Sequence, residues 1–304
     1  MQHILSADQF DRATIEMILE HAEAMESVVK KGGSRELEGK VLATLFYEPS
    51  TRTRLSFETA MLKLGGQVIS QESASVSSSA VKGETIEDTI RIVNGYADVI
   101  ALRHPEMGAA ARAARVSSTP IINAGDGPGE HPTQSLLDLY TIQQEIGNID
   151  GMHIAFVGDL KYGRTVRSLA RMLANFSGIH VTFMSPPTLK IGDDIKEMLR
   201  DKGTQFTESE TLEEVLPHAD IIYMTRVQQE RFDDRVEYER LKDCYILTYR
   251  LTQMMKKNAR ILHPLPRLHE IAPEVDADPR AAYFRQAHNG LFVRMAMLEI
   301  LLKH

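Results

Sequence analysis

The chain has 304 residues, 43% of them hydrophobic and 25% charged, the composition of a globular protein of one large or two ordinary domains. Lys and Arg number 35 against 42 Asp and Glu, a net charge of −7 that argues against a general nucleic-acid binder, and the single cysteine, Cys244, excludes an intrachain disulfide or a cysteine-rich zinc site. The opening MQHILSADQF lacks the basic-then-apolar order of a secretory signal, and no uncharged apolar run approaches the ~18 residues of a membrane span, so a cytoplasmic enzyme without membrane contacts is expected.

The pattern along the chain alternates. A helix is expected from about Asp11 to Lys30, capped near Ser6, with Ile15, Ile18, Ala22 and Met25 on one face. VLATLFY reads as a buried strand, and after it Phe57, Met61 and Leu64 recur at helical spacing until Gly65-Gly66. The serine-rich stretch from Ser70 to Glu84 reads as a loop, long enough to be functional or mobile. Then come a helix from Glu84, the strand DVIALR, the helix MGAAARAA, the strand TPIINAG and a helix opened by Pro132, which GNIDG ends. The second half repeats the logic with strand MHIAFVGD, helix GRTVRSLARMLANF, strand HVTFMSP, helix DDIKEMLRDKG and short strand TQFTE. A short helix TLEEVL, strands DIIYMTR and ARILHP, and a long closing helix from about Pro279 complete it. Alternation of this kind predicts an α/β fold of two doubly wound domains, each a mostly parallel sheet flanked by helices, joined near residues 133–148.

Ligands of such folds bind at the carboxyl ends of the strands, and the unusual sequences fall there. EPSTRTRLSFE sets Ser50, Thr51, Arg52, Thr53 and Arg54 at a strand-to-helix turn, where free backbone N–H groups and the positive end of the helix dipole favour an anion. A simple cap would need the hydroxyl and no arginine. LRHPE ends a strand with Arg103. GDGPGEHPTQ carries His131 and Gln134 in a glycine-rich turn, which predicts an exposed His131 facing a cleft. GDLKYGRT nearly matches the P-loop G-x-x-x-x-G-K-[ST], with Arg164 in place of lysine; DIIYMTR supplies no acidic residue to hold magnesium, so a P-loop nucleotide-binding protein is the weaker alternative. YMTRVQQER places Thr225, Arg226 and Gln228 just past a strand. HPLPR brackets Leu265 between two prolines, which holds its carbonyl, and an X-Pro bond in such a turn can be cis. The chain thus offers Arg52, Arg103, Arg164 and Arg226 with no carboxylate pair, Ser-His-Asp set or metal-ligand spacing. That combination predicts anionic ligands, a phosphate in the first half and carboxylates in the second. It also predicts direct group transfer by positioning and polarisation, with no cofactor and no metal.

STRTR, KGET, RHP, HPTQ, GDLKYGRT, TRVQxER and HPLPR, in this order from residue 50 to residue 267, resemble the aspartate carbamoyltransferase catalytic chains. The first-half motifs are shared with related carbamoyltransferases. The last three separate the aspartate from the ornithine enzymes, which typically carry H-C-L-P where this chain has His263-Pro264-Leu265-Pro266, and an S-M-G-type motif absent here. An ornithine-type enzyme is the nearer alternative, although Arg226 suits a carboxylate and would repel an ammonium. The resemblance implies transfer of the carbamoyl group of carbamoyl phosphate to L-aspartate, the committed step toward pyrimidines. It implies a carbamoyl-phosphate domain of residues 1–133 with 285–304, and an aspartate domain of residues 134–284. Ser50, Thr51, Arg52 and Thr53 would hold the phosphate, with Arg54 structural. Thr53, Arg103 and His131 would donate to the carbonyl oxygen. Gln134 and the Leu265 carbonyl would orient the carbamoyl NH2, and Arg164, Arg226 and Gln228 would bind the aspartate carboxylates. Ser78 and Lys82 match residues that reach the neighbouring subunit's site, Lys82 toward both substrates, which implies a homotrimer with shared active sites. Ala80 and Val81 stand where the better-known bacterial form has a glycine and a second lysine. Glu48, Arg164 and Arg231 match a set that links the domains on closure. Any nucleotide-sensing regulatory chain would be a separate polypeptide.

Overall fold

The structure, a computed structural model, describes residues 1–72, 83–228, 232 and 234–303. Ser78, Lys82 and Arg231 therefore lie outside the described residues. The chain divides into two units, Met1–Leu137 with His288–His304, and Asp138–Ala287.

In the first unit, helix α1 (Arg12–Lys30) buries Ile15, Ile18, Leu19, Ala22 and Met25. Its cap is Asp11, whose carboxylate accepts from the Thr14 N–H at 2.8 Å. The expected cap, Ser6, instead opens a separate 3-10 turn, Ala7–Gln9. Aspartate directly before the first helical residue is the better-placed acceptor, so it starts the long helix. Strand β1 (Val41–Phe46) and helix α2 (Thr51–Lys63) follow. Strand β2 (Gln67–Glu72) corrects the reading of the serine-rich stretch, which begins as a strand with Ser70 opposite Thr44 and Glu72 opposite Phe46. As a mostly exposed edge strand, β2 has no apolar alternation to mark it. Next come α3 (Ile86–Val93), β3 (Val99–His104), α4 (Ala109–Val116) and β4 (Ile121–Asp126). Helix α5 (Pro132–Ile146) begins in this unit and ends in the second.

The sheet is parallel with order β2-β1-β3-β4. The winding direction reverses between β1 and β3, the position where doubly wound sheets open a crevice at their carboxyl edge. Phe46 and Arg103 lie opposite each other there. Ala43, Leu45, Ile100, Leu102 and Ile121 of the strands pack with Ile86, Ile90 and Ala113 of α3 and α4. These strands are buried nearly throughout, as parallel strands covered on both faces must be.

The second unit runs β5 (His153–Val157), α6 (Arg164–Leu173), β6 (His180–Met184), α7 (Asp193–Asp201), β7 (Gln205–Ser209), α8 (Leu212–Val215) and β8 (Ile221–Met224). It continues through α9 (Arg235–Leu241), α10 (Tyr249–Thr252) and β9 (Arg260–Leu262) into α11 (Tyr283–Leu302), whose later part belongs to the first unit. The order β7-β6-β5-β8-β9 is again parallel, with its reversal between β5 and β8. Val157, Ile222, Met224 and Ile261 form its core with Leu212, Leu216, Leu247 and Leu251. The closing helix starts at Tyr283 rather than near Pro279. Ile261 N–H donates to the Arg280 carbonyl at 2.8 Å and Ala282 N–H to the Ile261 carbonyl at 2.9 Å, so this backbone pairs with β9 before it can coil. The two α/β units with parallel sheets are the predicted fold class. Among the described residues no helix is long and apolar enough to cross a membrane.

Candidate active site

In the first unit, the end of β1 delivers Glu48 to Ser50 onto the start of α2. Ser50 stands at the N-cap with an extended backbone (φ −160°) and its side chain makes no capping bond. The first helical backbone bond there is Arg54 N–H to Ser50 carbonyl at 3.1 Å, which leaves the amides of Thr51, Arg52 and Thr53 facing outward from the first turn. Thr51 and Arg52 are exposed and Thr53 is buried. Arg103 arrives beside them from β3, with Tyr47 N–H bonded to its carbonyl at 2.9 Å. Its guanidinium donates to the Ala124 carbonyl at 3.4 Å and lies 3.5 Å from Glu48, while its buried Nε finds no hydrogen-bond acceptor. Burial holds the Arg103 pKa below the ordinary arginine value; Glu48 pulls it back up and the charge of Arg52 pushes it further down. Two like charges, Arg103 and Arg52 of the first turn of α2, therefore act on each other beside a helix N-terminus, a combination that favours an anion. Glu48, expected among the domain-linking residues, is here the counter-charge of Arg103.

Arg54 points elsewhere. Its guanidinium lies 2.9 Å from Glu72 and 3.5 Å from Glu58, and donates to the Ser70 hydroxyl at 3.1 Å, so it ties α2 to β2.

His131 and Gln134 sit at the start of α5, with Gln134 N–H bonded to the His131 carbonyl at 3.0 Å. His131 is 4% exposed, so the expectation of an exposed ring is corrected. The neighbouring glycines serve close approach: Gly127 has φ +49°, and a Cβ there would stand 2.2 Å from the Pro105 carbonyl oxygen. That contact holds the loop after Arg103 against the turn before His131, and the ring packs beneath with Thr133 Oγ1 3.4 Å from its Nδ1. Gln134 is buried as well.

In the second unit the reversal point gathers the other group. Gly158 directly follows β5 with φ +117°, and a Cβ there would meet the Thr225 carbonyl oxygen at 2.3 Å, so only glycine lets the ends of β5 and β8 approach this closely. Thr225 Oγ donates to the Val157 carbonyl at 2.9 Å, and half-buried Arg226 and Gln228 follow it. Arg164 opens α6, also half-buried. From β9, next to β8, comes the turn with Leu265, whose peptide to Pro266 is cis. Arg226 is close enough to bear electrostatically on His263 of that turn.

The P-loop alternative fails on this geometry. The fully buried carboxylate of Asp159 lies inside the loop and accepts from the Tyr162 N–H at 3.0 Å, while its Oδ2 finds no hydrogen-bond partner. A loop amide that a P-loop would turn toward a phosphate here bonds an anion of the chain's own. Burial raises the Asp159 pKa against that bond. The sequence signal of Asp159 is its place in GDLKYGRT, an acidic residue directly after the glycine that follows β5. Among the described residues no group of three or more His, Cys, Asp or Glu side chains could hold a metal ion.

Two family models match the chain. Residues 2–144 match the carbamoyl-P binding domain of aspartate/ornithine carbamoyltransferases, and residues 150–301 match their Asp/Orn binding domain. A chloroplastic aspartate carbamoyltransferase of Arabidopsis thaliana is 55% identical over 99% of this chain and 78% of its own. The solved catalytic subunit of M. jannaschii aspartate transcarbamoylase is 50% identical with a TM-score of 0.93, covering 100% of this chain and 98% of that one. The aspartate transcarbamoylase of Trypanosoma cruzi, solved in complex with N-(phosphonacetyl)-L-aspartic acid, is 42% identical with a TM-score of 0.94, over 99% of this chain and 96% of that one.

Proposed function

This chain belongs to the aspartate/ornithine carbamoyltransferase family, and on that premise we propose how its residues divide the work of the reaction. The enzyme transfers the carbamoyl group of carbamoyl phosphate to the amine of aspartate, giving carbamoyl aspartate and phosphate. The first unit binds carbamoyl phosphate. Ser50, Thr51, Arg52 and Thr53 hold its phosphate at the α2 N-terminus, and the juxtaposition of Arg52 with Arg103 over that helix end is the observation that carries the assignment. Thr53, Arg103 and His131 donate to the carbonyl oxygen, and Gln134 with the Leu265 carbonyl orients the NH2. The second unit binds aspartate through Arg164, Arg226 and Gln228. The neutral aspartate amine attacks the polarised carbonyl carbon, negative charge collects on the carbonyl oxygen, and the C–O bond to phosphate breaks as the carbonyl reforms. The departing phosphate accepts the amine proton, so no covalent enzyme intermediate and no protein base are required. Stabilising the oxyanion by fixed donors is the main catalytic contribution.

Ser78 and Lys82 complete the site from a neighbouring copy in a homotrimer. The edge strand β2 leads directly into residues 73–82, and the exposed Leu55, Leu62 and Ile69 of α2 and β2 suit a covered surface. Regulatory chains, if any, are separate polypeptides. A cytoplasmic location is proposed on composition, against a plant relative described as chloroplastic, and cell fractionation decides it.

The test is carbamoyl transfer from carbamoyl phosphate with L-aspartate and L-ornithine in parallel, without added metal or nucleotide. Product with aspartate alone is expected. Product with ornithine instead would keep the phosphate site and overturn the assignments of Arg164, Arg226 and Gln228.

A further inference from the structure

His263 follows β9 at 2% exposure, and its backbone N–H and both ring nitrogens are engaged. Its Nδ1 accepts from the Leu265 N–H at 2.8 Å, so Nδ1 carries no proton. The single ring proton is then on Nε2, which donates to Glu270 Oε1 at 2.7 Å. The other Glu270 oxygen accepts from the backbone N–H groups of Leu268 and His269, both at 3.1 Å. The His263 N–H donates to Gln286 Oε1 at 2.8 Å, and Gln286 donates in turn to Asp138 Oδ1 at 2.6 Å. Asp138 Oδ2 accepts from the buried Tyr223 hydroxyl at 2.8 Å. A buried chain of hydrogen bonds therefore runs from β8 through α5 and α11 to the turn after β9.

That turn contains Leu265 with φ +52°, the only positive φ on a non-glycine residue among those described. The left-handed region disfavours a Leu, so the surroundings must hold it there. The bond that does so is Leu265 N–H to His263 Nδ1. We infer that His263 is a positioning residue for the transfer reaction: its Nε2–H tautomer, clamped by Glu270, fixes the Leu265 peptide and so aims the carbonyl that orients the carbamoyl group. This rests on the proposed role of the Leu265 carbonyl. The neutral ring is required, since an imidazolium has no lone pair for Leu265. Burial lowers the His263 pKa and favours that form; the Glu270 bond opposes it, and the charges of Arg267 and Arg226 favour it.

Two substitutions separate the halves of the ring. His263→Asn places an acceptor near Nδ1 and loses the reach to Glu270; His263→Gln keeps a donor near Nε2 and loses the acceptor for Leu265. Turnover should fall on the order of 10²-fold in His263→Gln, the scale for a misplaced positioning group, and stay within about 10-fold of the parent in His263→Asn. Thermal unfolding of both is measured alongside. Folded variants with equal turnover, or with Gln the more active, overturn the inference while leaving the carbamoyltransferase reading intact. Parent enzyme that makes no carbamoyl aspartate overturns that reading instead. If neither variant folds, 15N NMR of histidine-labelled parent enzyme decides: a protonated Nε2 and bare Nδ1 on a buried ring support the inference, and a protonated Nδ1 overturns it.

Discussion

Arg52 and Arg54 are two positions apart on one helix and have opposite duties. Residues at that spacing do not share a face, so one guanidinium reaches toward Arg103 and the other toward Glu58 and Glu72. A charge that repels its neighbour does nothing for stability and much for an anionic ligand. Arg52→Ala should therefore lower turnover by at least ~10²-fold, the scale for losing one oxyanion-type donor, with little change in melting temperature. Arg54→Ala should do the reverse, lowering the melting temperature by loss of the link between α2 and β2 while costing less activity. Steady-state kinetics and thermal unfolding of the two variants check both halves, and near-normal turnover in folded Arg52→Ala would remove the phosphate assignment. The positions of the four arginines were readable because Arg103 and Arg226 close an apolar run and Arg52 and Arg164 stand in the turn that follows one, all in an acidic chain. The burial of His131 was not, since the glycines beside it read equally as an open turn or as a close backbone approach. Asp159 and His263 escaped notice for a related reason: their role is to bond backbone N–H groups that sequence spacing does not reveal.

Strands β1, β3, β4, β5, β6 and β8 were readable as continuous apolar runs because parallel strands covered on both faces need nothing else. β2 was not, because an edge strand with polar residues carries no such pattern. The short helices α9, of seven residues, and α10, of four, were missed too. The central pair of the second sheet carries a pH dependence. His153 of β5 lies opposite His180 of β6, ring centroids 4.5 Å apart. Its Nδ1 must donate to the His218 carbonyl at 3.1 Å, which leaves Nε2 to accept from the Thr182 hydroxyl at 2.8 Å, so the ring is held neutral. Burial first, and the charge of His180 second, lower its pKa from 6.5 to about 4. Between those values the unfolded chain binds the proton and the folded one does not, so stability rises with pH across the window. The contribution is complete above the unfolded value and is lost as pH falls toward about 4. Urea unfolding midpoints of the parent should decline with acid in this interval more steeply than those of His153→Gln; parallel declines would show that the ring is not responsible.

Two parallel sheets in one chain, each with its winding reversal and each with arginines at that reversal, divide recognition between a phosphate-type and a carboxylate-type site. On the proposed roles neither unit alone carries the full set of groups the reaction needs, and on the shared-site proposal one copy of the chain does not either. KGET places Lys82 after β2 in the sequence, with Ser78 before it, in the segment proposed to serve a neighbour's site. If sites are shared in this way, a chain defective in Arg52 and a chain defective in Lys82 fail for different halves of the same site. Each variant alone should form an inactive homotrimer. Mixed, dissociated and reassembled, they should regain activity, because some interfaces then join an intact Arg52 from one copy to an intact Lys82 from the next. Sedimentation establishes that hybrids formed, and assay with carbamoyl phosphate and aspartate reads the recovery. Hybrids of proven mixed composition that stay inactive would confine each site to a single copy, and a parent enzyme that sediments as a monomer would dispose of the shared-site proposal before any mixing.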